Sequence, residues 1–488
     1  MPPTDDELEG QLEAIGSTIA RRARNESRLD SYYEGRCPFP KAIQEAKVTK
    51  AYRMLIGLSD APWGGLVVDS VLNRLEVTGI SSGDKSVDDA IWQIWQNNAM
   101  DAESKLAHNA SLVSGRSFAL VWPDENGEPE IQLDNASQMA VQYSSGSRRK
   151  RIAAMRSWEE ANRLYATLYR ADGLYKYVAA ADDSRRRLDN VSWEKRTIED
   201  EDWPLENPFA VVPVVELPVN RRLKPGQFGY ARGEFENCTS LIDRINLLTF
   251  LGLVVAFYMG FPLRGVIGEK IRREVLKDDA GQPLIDEAGQ QMFKQIPLFD
   301  PQAGGLFQLE NANAAIAEYK AADRSILDIY AELDQLAAVT HTPRHYLPLA
   351  QGMTNLSADA IRASEGSLIA KIPTHKSSLG EGWEETMRLT GLMSDDEIEL
   401  PQTAELQWSD HETRSLAERA DAAVKLKDAL PQSVIAQYAL NLSADQLSRM
   451  QAERAGDVLS TLLTTATTPA PTPTIPPRPV PAGSNGAG

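Results

Sequence analysis

Cysteine is nearly missing from this chain: 488 residues contain two, Cys37 and Cys238, far apart and in no C-x-x-C spacing. That excludes a disulfide framework and a cysteine-held zinc site, and it fits synthesis in a reducing compartment. Histidine is also scarce, with five copies. His341 and His345 are four apart, but Pro343 between them prevents a regular helical ligand pair, and His108 reads as a structural histidine within a helix. No G-x-x-x-x-G-K-[ST] phosphate loop, H-E-x-x-H or G-x-S-x-G is present; Gly83-Asp84-Lys85-Ser86 and Gly57-Leu58-Ser59-Asp60-Ala61 each depart from the pattern. The acidic clusters Asp278-Asp279 and Asp395-Asp396-Glu397 read as solvated turns or helix starts. Together these absences argue against an enzyme, a resident metal or a cofactor. A basic surplus is missing too. The net charge of -18 argues against a surface that holds nucleic acid by neutralising phosphates, though not against one that lets it slide past.

Present instead is ordinary globular material, 42% hydrophobic and 25% charged, enough for several structural regions. Residues 1–10 are acidic and polar, unlike a signal peptide. Residues 247–263, LLTFLGLVVAFYMGFPL, carry no charge. The run is short for a bilayer span, contains Gly252, Gly260 and Pro262, and follows Asp243 and Arg244 closely. A helix apolar all round can equally be one packed between subunits.

Periodicity predicts helices over 7–30, 88–97, 101–113, 233–260, 321–340 and from Ser357 to about Leu389, the last bent or interrupted near Pro373. Residues 67–77 start helical and end as a strand. Period-two alternation predicts strands at 117–122, 130–133, 139–143, 151–158, 163–169, 174–178 and 211–215. Trp408-Ser409-Asp410 caps a helical group, with Ser443 and Gln446 as a capping box further on. Residues 464–488 are Thr/Pro-rich and then Gly/Ser/Asn-rich, the composition of a disordered tail. No internal repeat is read.

These segments in this order resemble the portal proteins of long-tailed phages, especially the large family infecting actinobacteria. The likeness runs from about Leu29 to Ala455. It is carried by Tyr32-Tyr33-Glu34-Gly35, by Leu66-Val67-Val68-Asp69 with Val77-Thr78-Gly79, by Gly115-Arg116-Ser117, and by Val212-Pro213-Val214-Val215 with Asn220-Arg221. The most specific stretch is Thr340-His341-Thr342-Pro343-Arg344-His345-Tyr346-Leu347, followed by Ser357-Ala358-Asp359-Ala360-Ile361. Ala358 and Asp359 stand where the family has Gly and Glu. Trp408-Ser409-Asp410 with Thr413-Arg414-Ser415 resembles the opening of the crown.

The resemblance implies an α+β portal fold: an α/β wing, a helical stem, a small β-containing clip and an α-helical crown. N-terminal helices and wing would occupy residues 1–232, the first stem helix 233–261 and the clip 262–310. Clip exit and second stem helix would follow at 311–342, then the tunnel loop at 343–357. The long wing helix and its connection would take 358–404, the crown 405–463 and the tail 464–488. It also implies a ring homo-oligomer, a dodecamer in the virion, at one capsid vertex: a non-enzymatic channel for packaging and ejection of double-stranded DNA. Implied partners are the terminase large subunit, a head-completion or adaptor protein, and the major capsid and scaffolding proteins, with no membrane. The protein would be made in the host bacterial cytoplasm. Expected channel residues are Gln351, Gly352, Met353, Thr354, Asn355 and Leu356. Lys270, Arg272, Arg273 and Lys277 are the expected clip contacts to motor, adaptor or DNA, against the plainer reading of a solvated helix face. Leu247, Leu248, Phe250, Leu251, Val254, Val255 and Phe257 are the expected subunit contacts of the stem. The competing classes are a packaging ATPase or nuclease and a single-span membrane protein. ATP hydrolysis would favour the former, and failure to dissolve without detergent the latter.

Overall fold

The computed structural model describes residues 3–38, 50–147, 149–180, 188, 191–198, 201–224, 229–260, 264–267, 273–278, 281–286, 289–295, 315–318, 325–347, 358–412, 416–431, 434–436, 446–447, 449–450 and 452–454. The chain divides into two compact units. One comprises residues 1–29, 68–234 and 356–488; the other comprises 30–67 and 235–355.

In the first unit, helix α1 (Asp5–Tyr33) contributes Leu8, Leu12, Ile15 and Ile19 at three-to-four spacing, which places one apolar stripe on a sheet. That sheet runs β4 (Met139–Tyr143), β5 (Arg151–Glu160), β6 (Arg163–Tyr169), β7 (Gly173–Ala180) and β8 (Glu194–Lys195), with β9 (Leu205–Glu206) also pairing with β7. All pairs are antiparallel. Alternation along β5 sends Ala153 and Met155 toward α1. It sends Ala154 to the opposite face, among Phe118, Leu120, Met139, Tyr169 and Val214. Those partners come partly from a second sheet, of order β10 (Val214–Pro218), β2 (Arg116–Pro123), β3 (Pro129–Asn135). The six-stranded sheet is therefore covered on both sides.

Helices α4 (Lys85–Asn97) and α5 (Met100–Ser114) lead into β2. Helix α8 (Ala358–Met393) packs on β2 and β10 and continues through Pro373, where a bend or an interruption was expected; it is not interrupted. Strand β1 (Val77–Ser81) pairs antiparallel with β15 (Glu405–Trp408). The expected helical group thus begins with a strand, and its first helix is α9 (Leu416–Leu426).

In the second unit, α2 (Lys50–Ser59) packs on α6 (Thr239–Gly260), and α6 packs on α7 (Ser325–Thr340). Helix α3 (Trp63–Leu72) starts in this unit and crosses into the first. Strands β11 (Arg264–Ile267) and β14 (Ala315–Glu318) pair, as do β12 (Arg273–Val275) and β13 (Phe293–Gln295).

Candidate functional site

The most specific sequence stretch has a physical explanation at the end of α7. His341 adopts φ +59, and Thr342 N–H donates to the Ala337 carbonyl at 3.0 Å. That six-residue bond is a Schellman stop with a histidine, not a glycine, in the left-handed position. Thr340 Oγ1 donates back to the Leu336 carbonyl at 2.6 Å and lies 2.8 Å from Thr342 Oγ1. Both threonines are buried. Pro343 then forbids further helix, and Arg344 returns to pair with Asp334 on α7. The chain then runs to Leu347, which is buried. The expected channel residues Gln351, Gly352, Met353, Thr354, Asn355 and Leu356 lie outside the described residues.

Helix α6 begins at Thr239, preceded by a 3-10 turn over Glu236–Cys238, not at Gly233. Of the seven expected stem contacts, Phe250 is covered by its own chain: it is 5% exposed, with the Tyr52 ring centroid 6.4 Å away. Leu251 and Phe257 are 43% and 38% exposed. Leu247, Leu248, Val254 and Val255 are half-buried. The helix carries an exposed apolar flank despite packing on α2 and α7. Near its start, Arg244 on α6 pairs with Glu332 on α7 at 2.7 Å, and Tyr32 donates to Asp243 at 2.7 Å.

By length and composition, Glu236–Phe257 and Tyr52–Leu72 would each pass as a membrane span. The latter is broken at residues 60–62, between two ten-residue helices. Cys37 and Cys238 are both buried. Burial, with Asp60 and Asp243 nearby, pushes the Cys37 pKa up to about 12, so this thiol is unreactive. Among the described residues no group of three His, Cys, Asp or Glu side chains is placed to hold a metal.

At the exit of the first unit, Glu234 is 5% exposed. Lys371 Nζ donates to its Oε2 at 2.8 Å, and His375 Nε2 and Asn220 Nδ2 sit 2.9 and 2.7 Å from its Oε1. Burial opposes ionisation, but His375 and Lys371 outweigh it and hold the carboxyl well below its usual range. Position 233 must be glycine: a Cβ there would lie 1.9 Å from the Val113 carbonyl oxygen. At Gly115, φ +94, an added Cβ would lie 2.7 Å from the Arg232 backbone. The Gly115-Arg116-Ser117 stretch thus marks a backbone crossing. Beside it Arg116 pairs with Glu216, which also accepts from Tyr143 at 3.0 Å. Sequence spacing gave no hint of Glu234, because Lys371 and His375 come from α8 more than 130 positions away.

The expected clip contacts Lys270 and Arg272 lie outside the described residues. Arg273 and Lys277 are exposed, and Arg273 stands on β12, not on a helix face. Their surroundings correct the reading that the chain has no repeat. Leu276-Lys277-Asp278-Asp279-Ala280-Gly281-Gln282-Pro283 is followed by Leu284-Ile285-Asp286-Glu287-Ala288-Gly289-Gln290-Gln291, and then Met292. Each unit closes a hairpin turn. Asp278 Oδ1 accepts from Gln282 N–H and Asp286 Oδ1 from Gln290 N–H, both at 2.8 Å, and Gly281 and Gly289 take φ +77 and +74. The residues that open each unit bond in a cycle: Leu276 N–H to the Met292 carbonyl at 2.9 Å, Met292 to Leu284 and Leu284 to Leu276, both at 2.8 Å. Three antiparallel ladders meet at this triangle.

The family model described as "Phage portal protein, SPP1 Gp6-like" matches residues 18–458. The chain belongs to the phage portal protein family. It is 28% identical over 493 residues to the portal protein of Mycobacterium phage L5, covering 94% of this chain and 92% of that protein. To the portal protein of Mycobacterium phage D29 it is 29% identical over 446 residues, covering 86% and 84%. Among solved structures it is similar to a chain from the neck of an empty gene transfer agent particle, at 11% identity and TM-score 0.44, covering 80% of this chain and 92% of that chain. As a portal protein it is a component of the phage particle and forms the ring at the capsid's portal vertex.

Proposed function

We propose that twelve copies close into this ring, with α6 and α7 as the stem around a channel for double-stranded DNA. The observation that carries the reading is the pair α6–α7. It combines a charge-free exposed apolar flank at Leu251 and Phe257 with the Thr340–Thr342–Pro343 stop. An apolar flank on a ring subunit is covered by the next subunit, because a cyclic contact joins two different faces of one chain. Leu247, Leu248, Leu251, Val254, Val255 and Phe257 supply that contact, while Phe250 supports the helix from within its own chain.

Residues 343–357 form the tunnel loop, and its centre faces the channel. Gln351, Gly352, Met353, Thr354, Asn355 and Leu356 carry no charge, so they touch a moving duplex without phosphate bonds that would have to break at each step. The net charge of -18 works in the same direction. Residues 262–310 form the clip, which meets the terminase large subunit during packaging and the head-completion protein afterwards. Residues 405–463 form the crown, and the wing meets capsid and scaffolding proteins. The chain carries no catalysis of its own; ATP hydrolysis belongs to the motor.

The test is replacement of Leu251 and Phe257 by Asp in the full chain. Both side chains are exposed, so the monomer fold should survive by circular dichroism while sizing chromatography loses the assembled species. An unchanged assembly would overturn the stem assignment. ATP hydrolysis by the pure protein would overturn the non-catalytic role.

A further inference from the structure

Among the described residues, the three-ladder junction at residues 273–295 presents exposed apolar side chains on both faces. Side chains alternate faces along a strand, and ladder partners share a face. The pairings Arg273↔Gln295 and Val275↔Phe293, with the bridges Lys277↔Pro283 and Ile285↔Gln291, put odd-numbered residues on one face. Even-numbered residues take the other. The even face centres on Leu276, Leu284 and Met292, the last two 41% and 43% exposed. The odd face presents Ile285 and Phe293, 60% and 48% exposed, beside Pro283.

Charge divides in the same way. Among the described residues the even face carries Glu274, Asp278 and Asp286 against Lys294, and the odd face carries Arg273 and Lys277. Among the described residues, one apolar face thus carries a net acidic set and the other a basic pair.

We infer that the even face of one copy stacks on the odd face of the next copy around the ring. A layer apolar on both sides needs a cover on both. A different protein docked on one face would leave the other wet. A cyclic contact between unlike faces covers both with one repeated interface, and the opposite charges fix which face meets which. Arg273 and Lys277 then answer a neighbour's Glu274 and Asp286, not the motor, the adaptor or DNA. The inference rests on the ring reading and adds to it a second contact, apart from the stem.

The test is cysteine cross-linking of the assembled full-length protein with a short bismaleimide. Ile285→Cys marks the odd face and Met292→Cys the even face; both sites are exposed, and the native Cys37 and Cys238 are buried. The double variant should give a ladder of covalent oligomers on a denaturing gel, while each single variant stays monomeric. Reversing the basic pair with Arg273→Glu and Lys277→Glu should reduce the ladder at least several-fold. Covalent dimers from Met292→Cys alone would mean that like faces meet, and would overturn the inference. So would an intact ring in which both cysteines remain open to a large maleimide and form no ladder; that result leaves the ring itself standing. Failure of the unmodified protein to assemble would defeat the ring reading and the inference with it.

Discussion

Trp383 Nε1 donates a 2.8 Å hydrogen bond to Nε2 of His108 across 275 positions of sequence, and both side chains are fully buried. The acceptor nitrogen must be unprotonated, so the fold selects neutral imidazole. Trp95 stands edge-on to Trp383 at 5.3 Å, and the Trp408 ring lies 5.6 Å from His108. This junction ties α4, α5, α8 and β15 together.

His108 should therefore make stability fall in mild acid. Burial, aided by Lys105, lowers its pKa from 6.5 to about 4, against the Leu75 carbonyl. Between those values the unfolded chain binds a proton that the folded chain refuses, so stability declines as pH drops from 6.5 to 4. A shift of this size is worth about 3 kcal/mol at most. Urea unfolding at pH 7 and pH 5 should show the decline, and His108→Gln should flatten it. An equal pH slope in the variant would count against the assignment.

Glu234 works in a lower window. Its folded pKa lies below the ordinary 4.5, so its contribution is complete above that value and is lost as pH falls beneath it. At neutral pH, Glu234→Ala should cost about 3–5 kcal/mol, since Lys371 loses its buried counter-charge and His375 its partner. Denaturant midpoints measure this. A loss below 1 kcal/mol would show that the cluster is dispensable.

Gly233 and Gly10 make a matched pair. Alanine at 233 would drive a Cβ into the Val113 carbonyl, whereas alanine at 10 meets nothing within 4 Å. Gly233→Ala should yield insoluble or strongly destabilised protein. Gly10→Ala should stabilise helix α1 by roughly 0.5–1 kcal/mol through lower unfolded-state entropy. Thermal melts of both variants test the contrast.

His341 occupies a left-handed position that favours glycine. His341→Gly should leave the helix stop intact and raise stability by about 0.5–1 kcal/mol, read from the same melts. A destabilised variant would mean that the imidazole, not the backbone, holds the stop.

Local pattern made much of this fold readable beforehand. Strands β4 and β6 end where alternation and turn residues said they should, and α1 follows from the spacing of Leu8, Leu12, Ile15 and Ile19. The misses are tertiary in origin. Strand β15 is four residues long, and its partner β1 lies more than 320 positions upstream, so no local signal marks it. Helix α6 starts only at Thr239, after the backbone crossing at which Glu234 N–H donates to the Leu112 carbonyl. The eight-residue repeat is far shorter than the periods that mark repeat architectures. Of the site, the Thr340–Pro343 stop was legible as a motif, whereas the Glu234 cluster and the two-faced junction at residues 273–295 needed the fold to bring their parts together.

The most direct measurement is the native mass of the purified full-length protein. The account predicts a closed species of roughly 650 kDa, twelve times 53.8 kDa, seen as a ring with an open centre in negative stain. A stable monomer of 53.8 kDa at micromolar concentration, with no ring in the images, would contradict it.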